Sequence, residues 1–504
     1  IVILCIATFA LATVIAWAVF DAMPHLEDEH ANLFQADVFA AGRVTVEVPR
    51  DVDSFFVPFV INTAEGKRFG KYPPGYPLLL ALGAAVGRPW LINALAAALG
   101  VLGTYLLGRD LFDRDAGLLG AALVAISPMY LLLAGTLLAH STSVATLMFF
   151  AWAFVRARRP AEPHGMRFGV AAGLLLGWAA IIRPWTALAV ALPFMLLGLW
   201  DVLRSRGRAL PLYIIMACAA ALVCLIQLWF NLAATGSATT NTYRMWWNYD
   251  TVGFGPGHGR SEVGHTLSDG FRNLKLDLAE FPAALFGWPE PRGFVLAGIP
   301  IALGLLWPAL QRNGAAQPRA PAASFVSGIY KEWALLLPAV ALVVAQMAYW
   351  ARGSSLYGPR YYAEAIPFLA IIAARGLIKF AAGPWRRRAI KLALPALVAW
   401  SVVFTIESRT LKGRSLFDID RHDINTIAAA APRNALVFVA GDYWTSYANL
   451  SWLNAPTLDS TIIFAKDRGP NLNDQVIRDY PGRTVYYYKR DRNPALSGPL
   501  PPPH

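Results

Sequence analysis

Uninterrupted apolar runs of about 17–25 residues dominate the sequence, the length a helix needs to cross the hydrocarbon core of a bilayer. They recur near 1–20, 90–108, 116–134, 141–156, 168–183, 184–200, 210–231, 293–310, 333–351, 362–380 and 389–406. The chain has 504 residues, 56% hydrophobic and only 15% charged, where a soluble domain averages roughly 25% charged. The pattern predicts a polytopic α-helical membrane protein with about eleven transmembrane helices. The first run is read as a retained helix rather than a signal peptide, because no small-residue cleavage pattern follows it. Cys5, Cys218 and Cys224 all lie in apolar runs, where free cysteine behaves as a small hydrophobe, so neither a disulfide framework nor a cysteine metal site is expected.

The net charge of +12 would suggest nucleic acid in a soluble protein, but its placement points to a membrane instead. Basic residues crowd alternate short connections: Arg109 and Arg114, Arg156 to Arg167, Arg204 to Arg208, Arg312 to Lys331, and Lys379 to Lys391. The opposite connections hold few beyond Arg183, Arg352 and Arg360. The positive-inside rule then places the N-terminus in the cytoplasm of a multi-pass inner-membrane protein. Residues 21–89, 232–292 and 407–504 fall outside. The first of these loops predicts short helices at DEHANLFQADVFAA and PPGYPLLLALGAAVG. In the tail, ALVFVA, STIIFA and RTVYYYK read as strands between turn and helix signals, which predicts a small extracytoplasmic α/β domain over 407–504 ending in a disordered LSGPLPPPH. Residues 1–406 form the transmembrane domain in this division.

The candidate chemistry gathers on the outer side. HLEDEH, residues 25–30, follows the first run. Acids favour the first turn of a helix, so a solvated helix start accounts for it. A general base at the water–membrane boundary also accounts for Asp28 and Glu29, since partial burial raises a carboxylate pKa toward a useful range. A metal site from His25, Glu27 and His30 matches no standard ligand spacing. In KRFGKYPPGYP two prolines fix the backbone beside Lys71, which is either a snorkelling lysine or a cation for a lipid-linked phosphate. Arg183 in IIRPW and Arg360, with Tyr361, in YGPRYYAEAIP stand at membrane depth against the charge pattern, and a guanidinium fork suits phosphate. His140 in LLAHSTS falls at the same level. Tyr243, Trp246, Trp247 and Tyr249 in NTYRMWWNYD suit either an aromatic belt or stacking on sugar rings.

An outward first loop opening with Asp-Glu, a Lys-x-Pro-Pro element before the next span, and Gly-Pro-Arg-Tyr-Tyr late in the chain together resemble the GT-C fold. Within it they are closest to the protein-mannosyltransferase and aminoarabinose-transferase group, glycosyltransferase family 39 and its bacterial relatives. The resemblance implies an inverting transfer of a sugar from a polyprenyl-phosphate donor to an extracytoplasmic hydroxyl on a glycan, lipid or protein. Asp28 matches the catalytic aspartate with Glu29 as its acidic neighbour, Lys71 the lysine near the lipid phosphate, and Arg360 an arginine at the donor phosphate. Tyr72 stands between Lys71 and the two prolines, where the family usually has them adjacent, and His140 replaces an acid that many members carry. The leaving group is a phosphate of low basicity, so cations serve it and no metal or other cofactor is required; a divalent metal has no support in the sequence.

Two other readings compete. A polyprenyl-lipid or polysaccharide transporter or flippase needs mid-span charges and repeat symmetry, whereas the charges here sit at span ends on one side. A non-catalytic assembly subunit would use the aromatic loop and tail only to bind, and would tolerate loss of Asp28.

Overall fold

The computed structural model describes residues 1–159, 162–289, 296–312, 329–355, 357–414, 416–430, 433–441 and 443–500. Arg319 and the start of the 293–310 run lie outside them. Each of the other apolar runs coincides with a helix. The first is α1 (Val2–Ala18). Two short helices follow in the first loop, α2 (Glu27–Ala40) and α3 (Gly75–Ala84). Then come α4 (Trp90–Leu111), α5 (Arg114–Ala125), α6 (Pro128–Ala134), α7 (His140–Ala157), α8 (Gly165–Ile182), α9 (Pro184–Arg204) and α10 (Leu210–Thr235). Five described helices are long and apolar enough to cross a membrane, and α5 with α6, bent by 63° at Ser127-Pro128, make a sixth. With this set of apolar helices the chain is a multi-pass membrane protein.

Proline and glycine set the local geometry around one set of ends of these helices. A residue before proline is pushed out of the α region, and Arg183 takes φ −142°, ψ 84° ahead of Pro184. That break separates α8 from α9 and leaves the Arg183 side chain at a helix junction. In the first loop, β1 (Val46–Glu47), β2 (Val60–Asn62) and β3 (Lys67–Gly70) form a small antiparallel sheet in the order β1-β3-β2. Lys71 leaves β3 with its amide bonded to the Phe59 carbonyl at 2.9 Å. A Cβ on Gly70 would stand 2.9 Å from the Ala31 carbonyl oxygen, and one on Gly75 would stand 2.6 Å from that of Ile181. Only glycine lets β3 approach α2, and α3 approach the end of α8, this closely.

The second loop is more ordered than its glycine content implied. After α11 (Thr242–Trp246) it contains a 20-residue helix, α12 (Leu267–Phe286), opened by a capping box between Thr266 and Asp269. Helices α13 (Gly298–Arg312) and α14 (Ile329–Gln346) come next. A two-stranded hairpin, β4 (Ser354–Ser355) and β5 (Gly358–Pro359), turns through Gly358 at φ 89° into a 3-10 turn over Arg360–Ala365. Helices α15 (Ile366–Phe380) and α16 (Pro384–Trp400) complete the membrane part.

The tail contains a four-stranded sheet in the order β7-β6-β8-β9. Strands β6 (Ala435–Val439), β7 (Ile462–Lys466) and β8 (Thr484–Tyr488) are parallel and fall on the three runs read as strands. Of LSGPLPPPH, expected to be disordered, Leu496–Leu500 instead forms β9, antiparallel to β8, because a parallel edge strand still offers a row of backbone groups to pair. Residues 501–504 lie outside the described residues. The sheet docks on the first loop. The Lys466 amide donates to the Ser54 carbonyl at 2.8 Å, Arg468 pairs with Asp51 at 2.8 Å and Asp53 at 3.0 Å, and Phe55 enters the sheet's core beside Leu436 and Val485.

Candidate active site

Asp28 lies in the first turn of α2, where Leu26 supplies an extended N-cap and Glu27, Asp28 and Glu29 face the positive end of the helix dipole. Its two oxygens are both engaged. Oδ2 accepts from Arg360 Nη2 at 3.0 Å, and Oδ1 accepts a short hydrogen bond from the Tyr72 hydroxyl. The pair is only partly solvated, with side chains 12% and 23% exposed for Arg360 and Asp28. Burial opposes the Arg360 charge, but Asp28 and the surrounding tyrosines hold its pKa above the ordinary value. Arg360 Nε is buried without a hydrogen-bond partner.

Lys71 is enclosed more tightly. Its ammonium is 3.8 Å from the Phe59 ring centroid, 4.9 Å from Trp247, and 5.3 Å from both Tyr72 and Tyr243. Its carboxylate partner is Asp250, at 3.1 Å, with side chains 3% and 1% exposed. Burial lowers the lysine pKa and Asp250 partly restores it. Asp250 also accepts from Tyr349 Oη at 2.8 Å and Trp350 Nε1 at 3.0 Å.

A third cation completes the cluster. Arg183 Nη1 donates to Glu364 Oε1 at 2.7 Å and to His140 Nδ1. A guanidinium cannot accept, so His140 Nδ1 is unprotonated here. The Tyr361 ring links these groups: it stacks on His140 (6.2 Å, 29°), lies 5.5 Å from the Arg183 guanidinium and 5.6 Å from that of Arg360, and packs 5.8 Å from Tyr349.

The structure therefore brings Asp28, Lys71, His140, Arg183, Tyr243, Trp247, Arg360 and Tyr361 to one place. Tyr249 stacks on the outer side of Trp247 (5.8 Å, 11°). Trp246 turns instead to Phe56 and Phe59. Glu29 turns away from Asp28: its Oε2 accepts from the Leu137 amide at 3.0 Å, it is fully buried, and burial pushes its pKa up to about 8. The histidines flanking this segment do not converge either. His25 contacts the Met23 and Ile419 carbonyls, while His30 packs edge-on against Trp444. Among the described residues, no group of three or more His, Cys, Asp and Glu is placed to hold a metal ion.

The sequence reading missed Tyr72, Asp250, Tyr349 and Glu364. Tyr72 and Glu364 stand inside segments already singled out, and Asp250 closes the aromatic NTYRMWWNYD run. An acid that neutralises a buried cation gives no local signal of its partner.

The model of the dolichyl-phosphate-mannose-protein mannosyltransferase family matches residues 71–229, a stretch that begins at Lys71 and includes His140 and Arg183. Among solved structures, the chain is similar to ArnT from Cupriavidus metallidurans bound to undecaprenyl phosphate. The TM-score is 0.56 at 14% identity, over 96% of this chain and 92% of that one. The apo state of the same protein aligns over the same shares, also at 14% identity, with a TM-score of 0.54. The fold is GT-C. An oligosaccharyltransferase from Archaeoglobus fulgidus aligns at 14% identity over 93% of this chain and 66% of that one, with a TM-score of 0.47. No curated protein sequence matches the chain. The GT-C likeness read from the Asp-Glu pair, the Lys-x-Pro-Pro element and Gly-Pro-Arg-Tyr-Tyr thus holds at the level of the fold.

Proposed function

We propose that the chain is a GT-C glycosyltransferase that moves a sugar from a polyprenyl-phosphate donor to a hydroxyl acceptor on the outer face of the inner membrane, with inversion at the sugar carbon. The observation that carries this reading is the contact between Asp28 and Arg360, a base and a phosphate-type cation side by side at the outer end of the membrane helices. The family match and the ArnT likeness support it, and ArnT is described bound to undecaprenyl phosphate.

In this reading Asp28 takes the proton from the acceptor hydroxyl as its oxygen attacks the anomeric carbon. The bond from that carbon to the phosphate oxygen breaks on the opposite face, and the polyprenyl phosphate leaves with the electron pair. Arg360, Arg183 and Lys71 stabilise the charge that develops there, the preorganised electrostatic contribution common to such sites. Tyr361 spaces the two guanidinium groups, His140 accepts from Arg183, and Tyr243, Trp247 and Tyr249 offer flat faces for a sugar ring. In this reading the chain crosses the membrane eleven times with the tail sheet outside, and Asp28 stands at the water–membrane boundary within reach of a phosphate anchored in lipid.

Transfer of radiolabelled sugar from a panel of polyprenyl-phosphate donors by purified protein tests the proposal. Incorporation into an acceptor that depends on Asp28 supports it. Failure with every donor, alongside movement of a labelled polyprenyl lipid between leaflets, would replace it with the flippase reading.

A further inference from the structure

The three cations differ in how they could take on a second anion. Arg360 holds Asp28 through Nη2, and a guanidinium carries five N–H donors, so a phosphate oxygen can be added without losing the carboxylate. Arg183 presents a guanidinium fork of the same kind. Lys71 cannot do this. Its ammonium is walled by Phe59, Trp247, Tyr72 and Tyr243, and its open side is filled by Asp250 at 3.1 Å. A phosphate within contact of that nitrogen would lie against the Asp250 carboxylate, and two buried anions at such a separation repel strongly.

The carboxylates differ in what carries them. Asp28 sits on α2, and Glu364 sits in the turn that runs directly into α15. Asp250 sits on an irregular segment in which Gly253, Gly255, Gly257 and Gly259 all have positive φ, from 83° to 145°. Outside that segment it is tied down by the Tyr349 and Trp350 donors, by ring contacts of Trp247 and Tyr249 with Trp350, and by backbone bonds from Gly253 to Ala348, from Gly255 to His265 and from His265 to His258. Lys71, by contrast, is fixed between β3 and the Pro73-Pro74 entry to α3. Of the two members of the pair, Asp250 sits on the less regular backbone.

We propose that Asp250 is a placeholder for the donor phosphate: its carboxylate occupies the position on the Lys71 ammonium that the phosphate takes, so that donor binding displaces Asp250 together with the 247–259 segment. The proposal rests on the donor reading above and adds to it a residue and an ordered exchange. Lys71 stays neutralised in both arrangements, which avoids leaving a desolvated ammonium unpaired.

The test uses the full-length protein in lipid nanodiscs, with undecaprenyl phosphate as the probe. Asp250→Asn keeps an oxygen for Tyr349 and Trp350 but no longer competes for Lys71. It should bind the lipid roughly tenfold tighter than wild type, the size of one charge-assisted hydrogen bond that need not be displaced. Lys71→Met should bind it more weakly. Because Asp250→Asn could destabilise the loop, hydrogen exchange on the wild-type protein gives a second readout. Amides in 247–259 should lose protection when the lipid is added. Equal or weaker binding by Asp250→Asn, or unchanged or increased protection of 247–259, overturns the proposal while leaving the donor reading intact. Absence of lipid binding in wild type and variant alike overturns both.

Discussion

Replacing Asp28 with Asn removes the proton acceptor while keeping the side-chain shape, and its surroundings fix what else should change. The carboxylate accepts from Arg360 at 3.0 Å and from Tyr72. An Asn can retain one of these bonds through its oxygen and offer its amide protons elsewhere. Loss of positioned proton transfer should lower turnover by about 10²–10⁴, equivalent to about 3–5.5 kcal/mol of transition-state stabilisation. Donor binding should move the other way. A hydrogen bond to a charged partner contributes about 1.5–3 kcal/mol, and Arg360 freed from a carboxylate can direct that interaction to phosphate. Single-turnover transfer of a radiolabelled sugar measures the first quantity, and undecaprenyl phosphate binding in nanodiscs measures the second. The expected result is a large fall in kcat with unchanged or tighter lipid binding. Near-normal transfer would remove Asp28 as the base. A parallel loss of transfer and lipid binding would mean that Asp28 only holds Arg360 in place.

Glu29→Gln should cost far less turnover than Asp28→Asn, because Glu29 faces Leu137 rather than Asp28's partners, and its main effect should be on stability. The folded pKa of about 8 lies above the ordinary 4.5, so the stabilising neutral form is fully present below about pH 4.5 and is lost as pH rises through 8, a change of up to roughly 5 kcal/mol. Burial also pushes Asp37 up to about 7, so thermal melts from pH 5 to 8 should decline for both proteins but less steeply for Glu29→Gln, and equal slopes would refute the assignment. Arg360→Lys keeps charge but loses the fork and should weaken donor use by about 1–3 kcal/mol, whereas unchanged donor kinetics in both Arg360→Lys and Arg360→Ala would exclude Arg360 from the site. Reporter fusions at Arg158 and at Lys489 should show opposite sidedness, and the same sidedness at both would refute the topology.

The helices were legible because crossing a bilayer imposes a length and an apolarity that few other structures need. The same reading failed on α12, whose charged residues Asp269, Arg272, Lys275, Asp277 and Glu280 hid it among loop residues. The Thr266–Asp269 capping box was the signal that could have found it. At the site, Asp28, Lys71 and the two arginines could be read as chemistry because each was anomalous where it stood. Their partners could not, because pairing across 179 residues for Lys71 and Asp250, or 181 for Arg183 and Glu364, leaves no periodicity. The expectation of three cations facing one phosphate therefore missed that each already holds its own carboxylate. Tyr72, read only as an interruption of Lys-Pro-Pro, donates to Asp28 alongside Arg360.

Six contiguous residues of HLEDEH illustrate how one short helix start can serve several parts of the molecule. His25 precedes α2, and consecutive helical positions are rotated by about 100°, so Asp28, Glu29 and His30 point in different directions. His25 reaches the Ile419 carbonyl at 3.1 Å and His30 packs against Trp444, both in the tail. Nearby, Arg421 donates to the Asp21 carbonyl at 3.1 Å. Glu29 binds the Leu137 amide ahead of α7, and Asp28 bonds Arg360. The density of charge is thus not a cluster with one task. It ties the candidate base to the tail on one side and to the membrane helices on the other. In the proposed reaction, a carboxylate that meets a hydroxyl and a lipid-anchored phosphate within a few tenths of an ångström gains from a helix held on both sides.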